Sequence, residues 1–362
     1  MSLNNQYYIK DKFFELESQV VKNDSWILVG HNSEFLINND FISFEYYGEK
    51  IFIQNYKGEI KAFQNICLHR FNEIHNVEFG NRVSSCLYHC WTYNKEGKVA
   101  GMSCKSSFDS NLINNLKLKE FEVQKCGEFI FINLNASNQI NLETYLGQLY
   151  NKLEAFSYHF GTKTIDYKLE HKANWKLLVE NVLECYHCLS VHDNSFAKMG
   201  YGFSKPDSFG FHNAHSWCEF PKKEGIKENK KIEEILSSRT LKTQGYLHFY
   251  IYPNAFISSV EGKGFYMGFL FPTSFYQTTL RIRYFSPKLE NTLSDSNQNI
   301  FDFVMHSSHD SLSIVLNEDK KIVESIQSNL AFVENLKPIF GNEEFRINEF
   351  YDYFKKILNY NE

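Results

Sequence analysis

Two short segments of the chain each pair a cysteine with a histidine. The first is Cys67-Leu-His69, and the second is Cys86-Leu-Tyr-His89. Two thiolates can hold one iron of a [2Fe–2S] cluster while two imidazoles hold the other, which raises the reduction potential of the cluster. A tetrahedral zinc site also accepts two cysteines and two histidines. Zinc motifs usually pair like ligands, whereas each segment here supplies one of each kind, and this pattern favours the iron–sulfur cluster.

A third segment, NWKLLVENVLECYHCLSVHDN, contains a carboxylate and two imidazoles at Glu184, His187 and His192. Two histidines and one carboxylate on one face, with open positions beside them, are the ligands of non-heme Fe(II) oxygenases. On a regular helix Glu184 and His187 lie roughly 60° apart, whereas His187 and His192 lie roughly 140° apart. The sequence therefore predicts a helix that bulges or ends near Cys188–Val191, because a continuous helix would separate the two imidazoles.

Several other histidines and cysteines are interpreted as surface or packing residues, and none of these histidines stands at ligand spacing from a partner. Cys185 and Cys188 are expected to pack beside the metal site. Eight cysteines in a chain without a visible secretion signal argue against disulfides. The histidines in this group are His171, His212, His215, His248, His306 and His309, and the expected buried thiols are Cys90, Cys104 and Cys126.

The segments ICLHR and CLYHCWTYNKEGKVAG resemble the Rieske domain of the Rieske non-heme iron oxygenases, the ring-hydroxylating oxygenase alpha-subunit family. ENVLECYHC and VLNEDKKIVESIQSNL resemble the iron-binding segments of the same family, so the resemblance spans most of the chain. It implies a third ligand to the mononuclear Fe(2+) at Asp319, with Glu318 as the alternative. The implied ligands of the Rieske cluster are Cys67, His69, Cys86 and His89, and the implied iron ligands are His187, His192 and Asp319.

The resemblance also implies how electrons travel. In this family an acid at the position of Glu184 bridges the cluster histidine of one subunit to an iron ligand of the next. The expected path runs from His89 through Glu184 to His187, and it requires an oligomer, most simply a homotrimer. No G-x-G-x-x-G nucleotide fingerprint is present. A separate NAD(P)H-dependent reductase of the flavin or ferredoxin type is therefore expected to supply the electrons for O₂ activation.

The segment ENVLECYHC is most similar to the members that act on quaternary ammonium compounds, such as carnitine and glycine betaine. The resemblance thus implies a small-molecule substrate that is hydroxylated at a C–H bond or N-methyl group, with N-demethylation or C–N cleavage as possible outcomes. Hydroxylation of an aromatic ring is the alternative, and a Rieske electron-transfer protein without catalytic iron is another. Aromatic residues that could face a cation are Phe203, Phe211, Trp217, Tyr250 and Tyr266.

These residues need a scaffold, and the pattern of the chain predicts an α+β protein. A helix within residues 1–25 should pack on the catalytic domain. Short β-rich segments, including WILVG, FISFEYYG and RVSSCLY, predict a Rieske β domain over residues 26–150. Residues 160–362 should form an antiparallel sheet with helices, and the resemblance implies a helix-grip, START-like catalytic domain.

Composition excludes several other classes of function. The net charge is −5, which offers no electrostatic footprint for nucleic acid. No apolar run approaches the length of a transmembrane helix, so no membrane partner is expected. Without a visible signal peptide, the sequence predicts a cytoplasmic location.

Overall fold

The computed structural model of the chain describes residues 3–135, 137, 140–202, 205–226, 229–333 and 336–359. The chain divides into two compact units. One is Lys22–Leu142, and the other combines Met1–Val21 with Glu143–Glu362. The sequence-based boundaries at residues 25, 150 and 160 stay predictions; the two units of the structure meet at Val21/Lys22 and at Leu142/Glu143.

The N-terminal segment forms two helices, α1 (Gln6–Ile9) and α2 (Asp11–Asp24), where the sequence predicted one. Glu17 of α2 is fully buried and contacts two adjacent residues of its own unit, Trp175 and Lys176. Its carboxylate accepts hydrogen bonds from Trp175 Nε1 at 2.9 Å and from Lys176 Nζ at 2.6 Å. Because a buried charge needs such partners, these contacts fix the N-terminal helices to the helix that begins at Trp175.

The unit Lys22–Leu142 is built on an antiparallel sheet in the order β1-β9-β8-β4-β3-β2-β5. The prediction of a strand at RVSSCLY is wrong. Those residues form a loop with an isolated bridge at Ser85, and Cys86 lies in this loop. The elements are β1 (Trp26–His31), β2 (Asp40–Tyr46), β3 (Glu49–Tyr56), β4 (Glu59–Gln64), β5 (Phe79–Asn81), β6 (Thr92–Tyr93), β7 (Val99–Gly101), α3 (Ser110–Asn115), β8 (Glu120–Cys126) and β9 (Phe129–Asn133).

The second unit contains another antiparallel sheet, in the order β10-β16-β15-β14-β13-β12-β11. Its elements are α4 (Leu142–Leu146), α5 (Tyr150–Ser157), β10 (Phe160–His171), α6 (Trp175–Leu183), α7 (Cys188–Val191), β11 (Ser208–His212), β12 (His215–Pro221), α8 (Lys230–Ile235), β13 (Gly245–Ile251), β14 (Ala255–Val260), β15 (Phe265–Ser274), β16 (Gln277–Pro287), α9 (Asp295–Asn329) and α10 (Phe345–Ile357).

The central strands of this sheet are buried along nearly their whole length, because they are rich in aromatic and β-branched residues. Strands β15 and β16 pair antiparallel, from Phe265↔Phe285 to Ser274↔Gln277. The long helix α9 packs against α6 and β10. An antiparallel sheet with helices is the architecture that the sequence predicted for the catalytic domain.

A capping serine accounts for the start of α9, and a stripe of buried apolar residues accounts for its inward face. Ser294 caps the helix by accepting from the N–H of Asn297. Leu316 and Val323 are buried on α9. Asp319 stands three positions after Leu316 and four before Val323, so it lies on the same face of the helix. The packing of this face therefore also turns the Asp319 carboxylate inward. None of the helices in the described ranges combines the length and hydropathy needed to cross a bilayer.

Candidate metal centres

The two Cys/His segments form loops of the same design in the first unit. The N–H of Phe71 donates to the carbonyl of Cys67, and the N–H of Cys90 donates to that of Cys86, each at 2.9 Å. Phe71 and Cys90 close these turns with φ of 62° and 56°, a region that few non-glycine residues adopt. Each turn thus places its cysteine and its histidine at the end of a loop.

The prediction of buried thiols is wrong for two of three cysteines in this unit. Cys90 and Cys104 are exposed, whereas Cys126 is buried as expected. Cys90 and Cys104 both have positive φ. They lie at turns that need a left-handed residue rather than in a packed core.

The four ligand candidates of the first unit meet at the ends of these loops. The imidazole rings of His69 and His89 have centroids 4.6 Å apart, and the thiols of Cys67 and Cys86 are buried. The Nδ1 atoms of both imidazoles are buried without a hydrogen-bond partner among the described residues. Such an atom is costly, and coordination to iron would satisfy both. The residues therefore fit a [2Fe–2S] cluster with two thiolates and two imidazoles.

Tyr93 lies beside the sulfur of Cys67, although its motif in the sequence indicated no separate role for it. Tyr93 Oη lies 3.2 Å from Cys67 Sγ and accepts from the N–H of Leu68 at 2.9 Å, which leaves its own proton for the sulfur. Burial raises the pKa of Cys67, and the hydrogen bond with Tyr93 opposes that rise. Hydrogen bonds to sulfur tune the potential of an iron–sulfur cluster, so Tyr93 can act on the cluster directly.

In the second unit His187, His192 and Asp319 converge, with their ligand atoms all within 4.8 Å of one another. Oδ1 of Asp319 lies 3.5 Å from Nε2 of His187 and 2.9 Å from Nε2 of His192. Two imidazoles and one carboxylate facing one point fit the ligand set of a mononuclear non-heme iron. The structure thus brings together the three residues that the resemblance implied.

Each of these imidazoles turns its other nitrogen towards a carboxylate. Nδ1 of His187 is hydrogen-bonded to Glu184, and Nδ1 of His192 lies 2.7 Å from Oε2 of Glu318. Ser195 Oγ donates to the same Glu318 oxygen at 2.6 Å. A carboxylate in this position fixes the tautomer that leaves Nε2 free for a metal. Glu318, the alternative ligand proposed from sequence, therefore contacts the ligand His192 and is not one of the three residues that converge on the metal position.

The charges of the site attract a cation. Burial would lower the pKa of His187, but the hydrogen bonds with Asp319 and Glu184 outweigh burial and raise this pKa to about 10. Burial also acts to lower the pKa of His192, but the hydrogen bond with Asp319 raises this pKa. The same imidazoles lower the pKa of Asp319 to about 2, although burial acts to raise it. Three carboxylates around two imidazoles give a negative site that suits a divalent cation.

The predicted interruption of the helix exists, but its predicted position is wrong. Helix α6 ends at Leu183, and Glu184 is extended with φ −133° and ψ 169°. The Glu184 carboxylate accepts from the N–H groups of Tyr186 and His187, so it stabilises the turn that follows the helix. Cys188–Val191, where the break was expected, forms the short helix α7. The two imidazoles therefore converge across a turn and a helix.

Cys185 and Cys188 form a disulfide, which corrects the prediction of free packing thiols. The N–H of Cys188 donates to the carbonyl of Cys185 at 3.2 Å in the turn after Glu184. This turn brings the two Cα atoms to 5.0 Å, within the span that a disulfide can bridge.

A cavity of about 120 Å³ adjoins the three ligand candidates. Most of its wall is apolar or aromatic, as small-molecule sites usually are. Polar residues of this wall that the sequence did not indicate include His248, which was interpreted as a surface or packing residue, and Arg346. Among the aromatic candidates, Tyr266 lines the cavity, Phe203 lies outside the described residues, and the wall does not include Phe211, Trp217 or Tyr250.

Comparison with known families gives two matches. Residues 154–359 match the family model of the ring-hydroxylating alpha subunit (catalytic domain). Residues 25–122 match the Rieske [2Fe-2S] domain. The second match supports an iron–sulfur cluster over the zinc alternative.

Similar proteins are known by sequence and by structure. The chain is 34% identical over 193 residues to a carnitine monooxygenase oxygenase subunit of Acinetobacter pittii, covering 51% of each chain. It is 29% identical over 195 residues to a glycine betaine monooxygenase oxygenase subunit of Pseudomonas aeruginosa, covering 53% of this chain and 44% of the relative. The chain thus spans about half the length of the curated relatives it matches.

A solved quaternary ammonium Rieske monooxygenase has the same fold. It superposes with a TM-score of 0.80 at 22% identity, covering 98% of this chain and 95% of that one. The structure of that protein is described as giving insights into carnitine oxidation and inter-subunit electron transfer.

Proposed function

The chain belongs to the ring-hydroxylating alpha-subunit family, and we propose from this that it is the terminal oxygenase of a Rieske oxygenase system. The observation that carries the proposal is the convergence of His187, His192 and Asp319 beside a cavity. An electron-transfer protein would need the cluster ligands of the first unit but not this second ligand set.

Iron bound in the second unit would supply dioxygen activation, and the cluster would supply electrons. Glu184 and Glu318 hold the protons on Nδ1 of the two imidazoles, so that both Nε2 atoms stay available. Asn181 Nδ2 donates to Oδ1 of Asp319 at 3.1 Å and orients the carboxylate. The apolar cavity wall excludes water and holds the substrate beside this point.

We assign Glu184 to electron transfer between subunits. Its carboxylate hydrogen-bonds His187 and lies at the edge of an open surface depression that Tyr186 and Leu189 also line. Tyr186 is 72% exposed and Leu189 is 45% exposed. Exposed apolar side chains beside a functional carboxylate suit a protein–protein contact.

The cluster site has a similar surface. His89 is flanked in sequence by Leu87 and Tyr88, which are 61% and 54% exposed. The proposed contact joins His89 of one copy to Glu184 of the next. Such a contact repeated around a ring gives the homotrimer expected from the sequence.

For the substrate we propose a quaternary ammonium or N-methyl compound, hydroxylated at a C–H bond next to nitrogen. The two relatives named for carnitine and glycine betaine support this class, and so does an aromatic cavity wall that includes Tyr246 and Tyr266. The faces of such rings attract alkylammonium groups. Electrons would come from a separate NAD(P)H-dependent reductase.

The test begins with protein purified without oxygen. Iron analysis should give about three irons per chain, two in the cluster and one mononuclear. Turnover with NADH and a generic reductase is then measured on carnitine and glycine betaine, and on benzoate and naphthalene. We expect O₂ consumption coupled to release of an aldehyde or an amine from the first pair.

Other outcomes would change the proposal in defined ways. Iron near two per chain with no O₂-dependent turnover would indicate the electron carrier. Hydroxylated rings from the second pair, without reaction of the first, would support arene hydroxylation. An uncoupled NADH oxidase that modifies neither pair would reject both substrate classes.

A further inference from the structure

His248 on β13 lines the cavity and is only 3% exposed. Nη2 of Arg346 lies 3.0 Å from its Nδ1. A guanidinium can only donate, so Nδ1 must accept and the ring proton must lie on Nε2. Nε2 is buried without a hydrogen-bond partner among the described residues. The cavity wall therefore holds a fixed N–H donor that lacks an acceptor.

The protonation state of His248 agrees with this geometry. Burial lowers the pKa of His248 well below its usual value, and the charge of Arg346 lowers it further. The ring is therefore neutral, with one accepting and one donating nitrogen. A buried donor left unpaired costs free energy that a ligand acceptor would recover.

Arg346 is buried among neutral partners. Nε donates to Ser216 Oγ at 3.0 Å, Nη1 to Cys218 Sγ at 3.1 Å, and Nη2 to His248. Burial raises the pKa of Cys218, so its thiol carries no charge. The side chain is 3% exposed and has no carboxylate partner within the described part of the chain. A buried cation without a counter-ion favours an anion nearby.

We propose that His248 and Arg346 form a subsite for a carboxylate of the substrate. Nε2–H of His248 donates to a carboxylate oxygen, and the guanidinium behind the ring supplies the compensating charge. This role deepens the proposed function and rests on it, because the cavity is then the substrate site. The acceptable substrates are acids, and a quaternary ammonium substrate would be a zwitterion.

The subsite and the metal site line the same cavity, together with Tyr246. Burial raises the pKa of Tyr246 to about 12; the charge of Asp319 raises it further, and the charge of Arg346 lowers it. Both charged groups thus act on one phenol that lines the same cavity. A substrate bound by its carboxylate at His248 would extend along the aromatic residues of the wall towards His187, His192 and Asp319. An ammonium group at that end would be attracted by the aromatic rings and by the acidic side chains of the metal site.

The experiment measures binding without turnover. Iron-loaded protein is titrated anaerobically by calorimetry with two matched pairs of ligands. Trimethylammonio-butyrate is compared with butyltrimethylammonium, and benzoate is compared with toluene. Within each pair only the first ligand has a carboxylate. We expect the acid of at least one pair to bind about 10- to 100-fold more tightly than its neutral-ended partner.

Variants assign this preference to the subsite. His248→Phe should remove most of the preference for the acid and leave the affinity of the neutral-ended ligand within about threefold. His248→Gln restores an N–H donor and should recover part of the preference. His215→Gln changes a buried histidine that does not line the cavity, and it should leave the preference intact.

Equal affinities within both pairs for the unsubstituted protein would overturn the subsite, even if no variant folds. A preference that survives in His248→Phe would also overturn it, as would the absence of measurable binding by both acids. A preference found only in the aromatic pair would support the subsite and reject the quaternary ammonium class. The failure of the substrate proposal is therefore distinguishable from the failure of the subsite.

Discussion

The two candidate metal centres are assembled in different ways. Cys67, His69, Cys86 and His89 come from two similar loops, and each loop is closed by local backbone hydrogen bonds. The iron site takes two histidines from one segment, but Asp319 reaches them only because α9 packs against α6. A centre made by local turns can be recognised from spacing, whereas a centre made by packing needs the fold.

The imidazoles of the two centres also differ in whether the protein provides a partner for Nδ1. Nδ1 of His69 and of His89 has no partner among the described residues. Nδ1 of His187 and of His192 is held by a carboxylate. The first centre thus depends on its metal to satisfy its ligands, while protein contacts already orient the ligands of the second.

The largest expected effects come from removing one ligand of each centre. Cys67→Ser should abolish the visible and EPR signals of the cluster and leave the mononuclear iron, whereas Asp319→Ala should do the reverse. Turnover should be lost in both, because each centre is needed for oxygen activation. Iron content, about one or about two per chain, distinguishes the variants.

Asp310 provides a matched control on the same helix as Asp319. Its side chain is 79% exposed, and Asp310→Ala should keep both centres and full turnover. Full iron content with normal turnover in Asp319→Ala would show that this carboxylate is not a ligand.

Spacing and ligand chemistry were enough to predict that the four cluster residues meet, because loops of this kind need little from the rest of the chain. Asp319 was different. Only the resemblance to the family's iron-binding segment singled it out as a ligand. Its place between Leu316 and Val323 on the buried stripe is the physical signal that the sequence offered.

The second expected effect tests the proposed electron path between subunits. Glu184→Gln keeps the shape of the side chain but removes its charge, and it should retain both the cluster and the mononuclear iron. Turnover should fall by about 10- to 100-fold, because Glu184 orients His187 and is the proposed bridge to the next subunit.

Single-turnover stopped-flow measurements identify the affected step. The rate at which the reduced cluster is reoxidised in the presence of O₂ and substrate should fall with turnover in Glu184→Gln. An unchanged reoxidation rate would mean that Glu184 is no part of the electron path.

A smaller effect is expected at Glu318, which holds Nδ1 of His192. Glu318→Ala should weaken the affinity for mononuclear iron by about 10- to 100-fold and leave the cluster spectrum unchanged. Competition with a chelator measures this affinity, with Asp310→Ala again as the control. Complete loss of iron at saturating Fe(2+) would instead indicate that Glu318 is itself a ligand.

Sequence reasoning failed where local conformation overrode periodicity. A uniform helix up to Cys188 would keep Glu184 and His187 on one face, but the Glu184 carboxylate accepts from two backbone N–H groups, and α6 ends at Leu183. The same turn brings Cys185 to Cys188. His248 and Arg346 have no motif, because strand and helix packing alone bring them together at the cavity.

The smallest effect concerns the scaffold of the iron site. Glu180 of α6 accepts hydrogen bonds from Tyr351 and, at 2.7 Å, from Tyr8. Burial nevertheless raises the pKa of Glu180 from 4.5 to about 7. Because the folded state keeps a proton that the unfolded state releases between these values, stability falls as pH rises through this window, by an amount on the order of 3 kcal/mol.

Glu180→Gln removes this ionisation while leaving an oxygen for the two phenols. The melting temperature of the variant relative to the parent should therefore be higher at about pH 8 than at about pH 5, by several degrees. Glu349→Gln changes an exposed acid of α10 and should give the same difference at both pH values. If Glu180→Gln also behaved alike at both, Glu180 would be ionised throughout. Helix α6, which precedes the two histidine ligands, would then tolerate a buried negative charge with only two phenols and the nearby Lys176 to stabilise it.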